Sequence, residues 1–211
     1  YDLQGAEIWR RSIRRADAPV PPAVDESTVV VATEDGVRGF DTETSEERWH
    51  VRDRAESHPV LVDGTCFVGN FDGLQAIDAR TGKREWTFRR GDARAMLSPV
   101  ITPDTIYAVE QPAEAGAASF ALDRTGDEPD PRWCSSIGSG TVTAATDDLV
   151  LTSLTIGRGS SAPHGIVAFT KALGEARWAI EGGSRPRDWL TPPAVLDGTV
   201  IVGTRGGVVA A

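Results

Sequence analysis

Short apolar runs separated by polar breaks recur along the chain, and nowhere do apolar residues return every three or four positions over a helical length. The clearest stretch is Pro59–Trp86, PVLVDGTCFVGNFDGLQAIDARTGKREW. Pro59–Val62 is apolar and stops at Asp63-Gly64, a dipeptide that favours a two-residue hairpin turn with positive φ. Thr65–Gly69 is a second β-rich run, Asn70–Gly73 a polar break, and Leu74–Ile77 a third run. The turn Asp78-Ala79-Arg80-Thr81-Gly82 closes it, and Glu85–Phe88 supplies a fourth run. The pattern predicts four short antiparallel strands, a sheet too small to bury its own faces.

The unit repeats. Turns equivalent to Asp63-Gly64 stand at Asp25-Glu26, Pro103-Asp104, Asp147-Asp148 and Asp197-Gly198, each between apolar runs. The closing turn and its tryptophan return as Asp2…Gly5…Trp9, Asp41…Ser45…Trp49, Asp123…Gly126…Trp133 and Thr170…Gly174…Trp178. Successive tryptophans are 40, 37, 47 and 45 residues apart. A four-stranded unit at that period predicts an all-β protein built of propeller blades. Full units fall near 22–49, 59–86, 99–133 and 141–178, with partial units at 1–13 and 193–211, in a single repeat domain over 1–211. In the first partial unit the residues around Trp9 are expected to form a strand.

The pattern "apolar run, Asp-Gly-Thr, apolar run, Gly-x-x-Ala-x-Asp-x-x-Thr-Gly-x-x-x-Trp" resembles the pyrroloquinoline-quinone (PQQ)-like β-propeller repeat. The match is tightest over residues 64–86 and extends, with varying quality, over essentially the whole chain. That family includes quinoprotein alcohol dehydrogenases and the periplasmic propeller lipoprotein of outer-membrane protein assembly. The resemblance implies an extracytoplasmic or cell-surface location, and tryptophans that lock neighbouring blades together. Their in-phase recurrence independently marks Trp9, Trp49, Trp86, Trp133 and Trp178 as packing residues wedged between sheets. The termini are in phase, so the chain holds about five periods. It could close as a five-bladed ring, with the Trp9 strand beside Gly207–Ala211. Alternatively it is an arc of a larger propeller, since family members usually carry seven or eight blades. The missing initiator methionine and abrupt end favour the arc.

In a four-stranded meander, the second-to-third and blade-to-blade connections share one end of the sheets. These are the irregular ones: Arg89–Leu97, Glu110–Ala118, Leu154–Gly165 and Glu181–Leu190. Variable loops on a rigid scaffold are where binding resides. The connections at this end hold eleven arginines and eleven acids, so this face is neutral and the remainder carries the net charge of −9. Arginine presents a planar fork suited to carboxylate or phosphate. The candidate binding residues are Arg89, Arg90, Arg94, Arg158, Arg185, Arg187 and Trp189. Trp189 lies off the repeat, aligned with Met96, and could equally be a plug near the axis.

Composition narrows the classes. With 22 Lys+Arg against 31 Asp+Glu, the chain lacks the basic surface that a nucleic-acid binder needs. Arginine supplies nearly all the cations and Asn70 is the one asparagine, a bias that suits solubility in high salt and also follows from a GC-rich genome. No apolar run approaches the ~18 residues of a membrane span. Cys66 and Cys134 are expected to be small buried thiols rather than a disulfide. His50, His58 and His164 are scattered, without metal-ligand spacing. Asp123–Asp130 lacks the alternating ligands of a calcium loop and is expected to be a repeat turn. No catalytic or cofactor-binding residue is assigned. By resemblance, a quinoprotein dehydrogenase needs a disulfide between adjacent cysteines, calcium and an aspartate base, and this chain has no adjacent cysteine pair. The reading is a non-catalytic scaffold that binds a protein or peptide on its variable-loop face. The alternative is a fragment of a PQQ-dependent dehydrogenase whose catalytic residues lie on absent blades, with PQQ and calcium as its cofactors, and a third possibility is a sensor ectodomain.

Overall fold

The computed structural model describes residues 4–13, 21–89, 93–96, 99–112, 118–126, 128–136, 142–155, 164–181, 193–204 and 207–210. All regular structure among them is β-strand, in five antiparallel sheets. The chain falls into two compact units, Tyr1–Gly91 and Asp92–Ala211.

The first unit holds two meanders. Sheet 1 is β1 (Ala23–Val24), β2 (Thr28–Thr33), β3 (Gly36–Asp41) and β4 (Glu47–Val51), paired in that order. Sheet 2 is β5 (Val60–Val62), β6 (Thr65–Asn70), β7 (Gly73–Asp78) and β8 (Arg84–Phe88), likewise in order. The central strands are buried and the outer ones partly exposed, so the apolar runs Cys66–Gly69 and Leu74–Ile77 are those covered on both faces. Asp63-Gly64 makes the expected hairpin, with φ 51° and 77°, joining the pair Val62↔Thr65. In the closing turn, Asp78 Oδ1 accepts hydrogen bonds from the Thr81 N–H at 2.7 Å and the Thr81 hydroxyl at 2.6 Å. Gly82 then takes φ 72°, which explains the Asp-x-x-Thr-Gly signature. Val30, Val37 and Trp49 of sheet 1 pack on Cys66, Val68 and Ile77 of sheet 2.

The second unit repeats the plan three times. Sheet 3 contains β9 (Ala93–Met96), β10 (Val100–Ile101), β11 (Thr105–Pro112), β12 (Ala118–Asp123) and β13 (Pro131–Ser135). Sheet 4 is β14 (Val142–Ala145), β15 (Leu149–Thr155), β16 (His164–Thr170) and β17 (Ala176–Glu181). Sheet 5 is β18 (Ala194–Leu196), β19 (Thr199–Thr204) and β20 (Gly207–Ala210). Tyr107, Val109, Ala121 and Trp133 of sheet 3 pack on Val150, Val167 and Phe169 of sheet 4. Leu151, Ile166 and Ala168 on the other face of sheet 4 meet Val200 and Val202, with Trp178 against the cluster.

Trp9, Trp49 and Trp133 share one docking geometry, while Trp86 and Trp178 are half-buried. Trp49, 8% exposed, donates its indole N–H to the Ala79 carbonyl at 2.8 Å. Trp133, 9% exposed, donates to the Lys171 carbonyl at 2.7 Å. Each acceptor is the second residue of the next sheet's closing turn. The indole lies so close to that turn that a Cβ on Gly82 or Gly174 would collide with the ring. Trp9 donates to the equivalent carbonyl, that of Thr42, at 2.8 Å.

Three expectations need correction. Gly5–Ile13 forms no strand, although Trp9 docks as a fourth-strand tryptophan would. Among the described residues its backbone is paired with no strand. The connection Arg89–Leu97 contains β9, which pairs with β11 beyond β10 (Met96↔Glu110, Val100↔Tyr107). Strand also extends into the other irregular connections, through Pro112, Thr155 and Glu181 and from Ala118 and His164. These strand ends are mixed in polarity, so the apolar pattern does not report them. Finally, Cys134 is exposed rather than buried, and neither it nor buried Cys66 is in a disulfide. Strand alternation explains the exposure: Trp133 takes the buried side and its neighbour faces outward.

Candidate binding rim

The β2–β3 and β6–β7 turns and the connections leaving β4 and β8 lie at one end of sheets 1 and 2, as the meander requires. Gly36 and Gly73 open the third strand of each sheet at φ 136° and 130°. A Cβ at either would strike the carbonyl of Val51 or Phe88, so the fourth strand ends tight against the third. The chain then emerges at equivalent residues, Arg52 and Arg89. Both are exposed, and neither has an ion-pair partner among the described residues.

The connector after Arg52 folds back along β6. Ala55 bridges Asn70, and the Glu56 N–H donates to the Gly69 carbonyl at 2.9 Å. Buried Ser57 accepts the Gly69 N–H at 2.8 Å and donates to the His58 carbonyl at 3.1 Å. Asp53 Oδ2 accepts from Arg84 Nη2 at 2.6 Å and from the buried Gln75 amide at 3.2 Å, tying the connector to sheet 2. Arg54 Nε lies 2.9 Å from Glu56 Oε1, and its guanidinium sits 5.9 Å from the centre of the Phe71 ring. Phe71 is at the tip of the two-residue β6–β7 turn, 50% exposed, where Asn70 Oδ1 accepts the Asp72 N–H at 2.8 Å.

Most carboxylates near this rim serve the scaffold. Asp35 accepts from the Thr33 hydroxyl at 2.6 Å and from Arg38 at 2.7 Å, and these bonds, Thr33 first, hold its pKa down at about 2. Glu47 takes the other arm of Arg38 at 2.9 Å. What the rim presents outward is therefore Phe71 with Arg54 over it, Arg52 and Arg89, beside the exposed Asp72 and the half-buried Glu34.

Of the residues singled out by sequence, Arg89 lies on this rim. Arg94 belongs to strand β9 rather than to a loop. Arg90, Arg158, Arg185, Arg187 and Trp189 lie outside the described residues. Phe71 escaped the sequence reading, although an aromatic in a two-residue turn, where Asn, Asp and Gly prevail, was a signal to be had. Among the described residues, no group of three or more His, Cys, Asp or Glu is placed to hold a metal ion. Asp123 accepts from the Thr125 N–H at 2.7 Å and hydroxyl at 2.6 Å and pairs with Arg132, as a repeat turn does. Among the described residues, no helix is long and apolar enough to cross a membrane.

A family model described as outer membrane protein assembly factor BamB matches residues 1–151. No curated protein sequence matches the chain. Among solved structures, BamB from Moraxella catarrhalis superposes with a TM-score of 0.56 at 17% identity, covering 90% of this chain and 72% of that one. The quinohemoprotein alcohol dehydrogenase ADHIIG of Pseudomonas putida HK5 gives 0.64 at 16% identity, over 90% of this chain and 39% of the enzyme. The extracellular domain of a putative one-component system from B. thetaiotaomicron gives 0.54 at 13% identity, over 89% and 25%. At these identities the superpositions establish a shared β-propeller fold.

Proposed function

The chain belongs to the family of the outer membrane protein assembly factor BamB, and from that premise we propose that it is a non-catalytic propeller that binds a segment of another protein through the loop-bearing ends of its sheets. The observation that carries this reading is the exposed Phe71 at a hairpin tip with the Arg54 guanidinium over its ring. Aromatic and arginine side chains are the residues that most often anchor protein interfaces: an aromatic buries large area at little rotamer cost, and the planar arginine fork makes several hydrogen bonds at once. Here the anchor is mounted on a two-residue turn between buried strands, so little order remains to be imposed on binding. Arg52 and Arg89, exposed and without carboxylate partners among the described residues, would supply the polar border. The family name supports an extracytoplasmic location for this chain and a protein as its partner.

Site-specific photo-cross-linking in the native host tests the proposal. A photoreactive phenylalanine at position 71, 52 or 89 is expected to trap one and the same protein, and the same probe at Arg80, in the closing turn at the other end of sheet 2, is expected to trap none. No adduct from the rim positions, or an equal adduct from Arg80, would sink the assignment. Changing Arg89, Arg90, Arg185 and Arg187 to serine is expected to reduce recovery of that protein in a pull-down.

We also propose that residues 1–211 hold no quinone. Cys66 is buried within β6, where burial pushes its thiol up to about 12, and Cys134 is exposed on β13 of another sheet. Neither has the adjacent cysteine that a quinone clamp of the resembling enzymes would need.

A further inference from the structure

We draw no further inference here: the strongest candidate, the exposed Phe71 tip of the β6–β7 hairpin with Arg54 over its ring, belongs to the rim already described, and nothing in the structure shows what covers it.

Discussion

Trp49 shows how one side chain carries two sheets. Its ring fills the space between Val37 of its own sheet and the apolar face of sheet 2, and its N–H serves a turn carbonyl that would otherwise be buried without a donor. Replacing Trp49 with alanine removes both and is expected to cost about 3–5 kcal/mol. Replacing it with phenylalanine keeps most of the apolar area and loses the hydrogen bond, an expected cost of about 1–3 kcal/mol. Urea denaturation of both variants checks the ranking; an unchanged stability in the phenylalanine variant would mean that the indole N–H contributes nothing. The aspartates of the closing turns make a second residue-scale case. Asp41 is held at about 2, first by the Thr44 N–H, then by the Glu43 N–H, with Arg48 adding an ion pair. Asp123 is held at about 2 by the Thr125 hydroxyl and N–H and by Arg132. A depressed carboxyl contributes stability above its unfolded value near 3.8, and that contribution is lost as pH falls towards 2. Melting temperature is therefore expected to drop between pH 4 and pH 2, and less steeply in Asp41→Asn. An unchanged slope in that variant would show that Asp41 takes no part in the acid transition.

At the scale of the element, the repeat works because one turn residue faces two ways. The N–H of Ala79 donates to the Gly64 carbonyl of its own first hairpin at 2.8 Å, and its carbonyl receives Trp49. Thr42 and Lys171 do the same with Ser27 and Trp9, and with Asp148 and Trp133. The docking geometry does not require the tryptophan to come from a strand, which is why Gly5–Ile13 binds sheet 1 without entering a ladder. Arg11 adds a bond to the Ser45 carbonyl at 2.8 Å and lies over buried Phe40 at 5.4 Å. Deleting residues 1–13 is expected to raise hydrogen exchange in β3 and β4 while β6 and β7 keep their protection, as in a stack whose members contact only their neighbours. Equal loss of protection in both sheets would mean that the segment stabilises the unit as a whole.

For the whole molecule, a net charge of −9 and a pI near 4.9 set solution behaviour rather than fold. The question that matters at this scale is whether the propeller carries a cofactor. Titration calorimetry with pyrroloquinoline quinone and calcium is expected to give no binding heat beyond dilution. A micromolar affinity would overturn the scaffold reading and turn attention to the dehydrogenase relatives.

The recurrence of Asp-Gly turns, Asp-x-x-Thr-Gly turns and tryptophans was enough to specify four-stranded antiparallel blades and their order. The reason is local: each turn residue is chosen by the φ angle and hydrogen bonds of a few neighbouring atoms, as at Asp63-Gly64 and Asp78–Gly82. The tryptophans were legible too, since a residue in phase with the blade must pack where the blade packs. Strand ends were not legible. β9 and the outer part of β11 lie beyond the alternating apolar stretch, and only pairing with a neighbour makes them strand. The same holds for the rim. Sequence marked the end of the sheets that carries irregular connections, and Arg89 within it. It could not show that Arg54 would lie over Phe71, or that Asp53 would be taken up by Arg84 and Gln75, residues distant in the chain. Which charges are consumed by the scaffold and which face outward depends on distances between segments, and those exist only once the chain has folded.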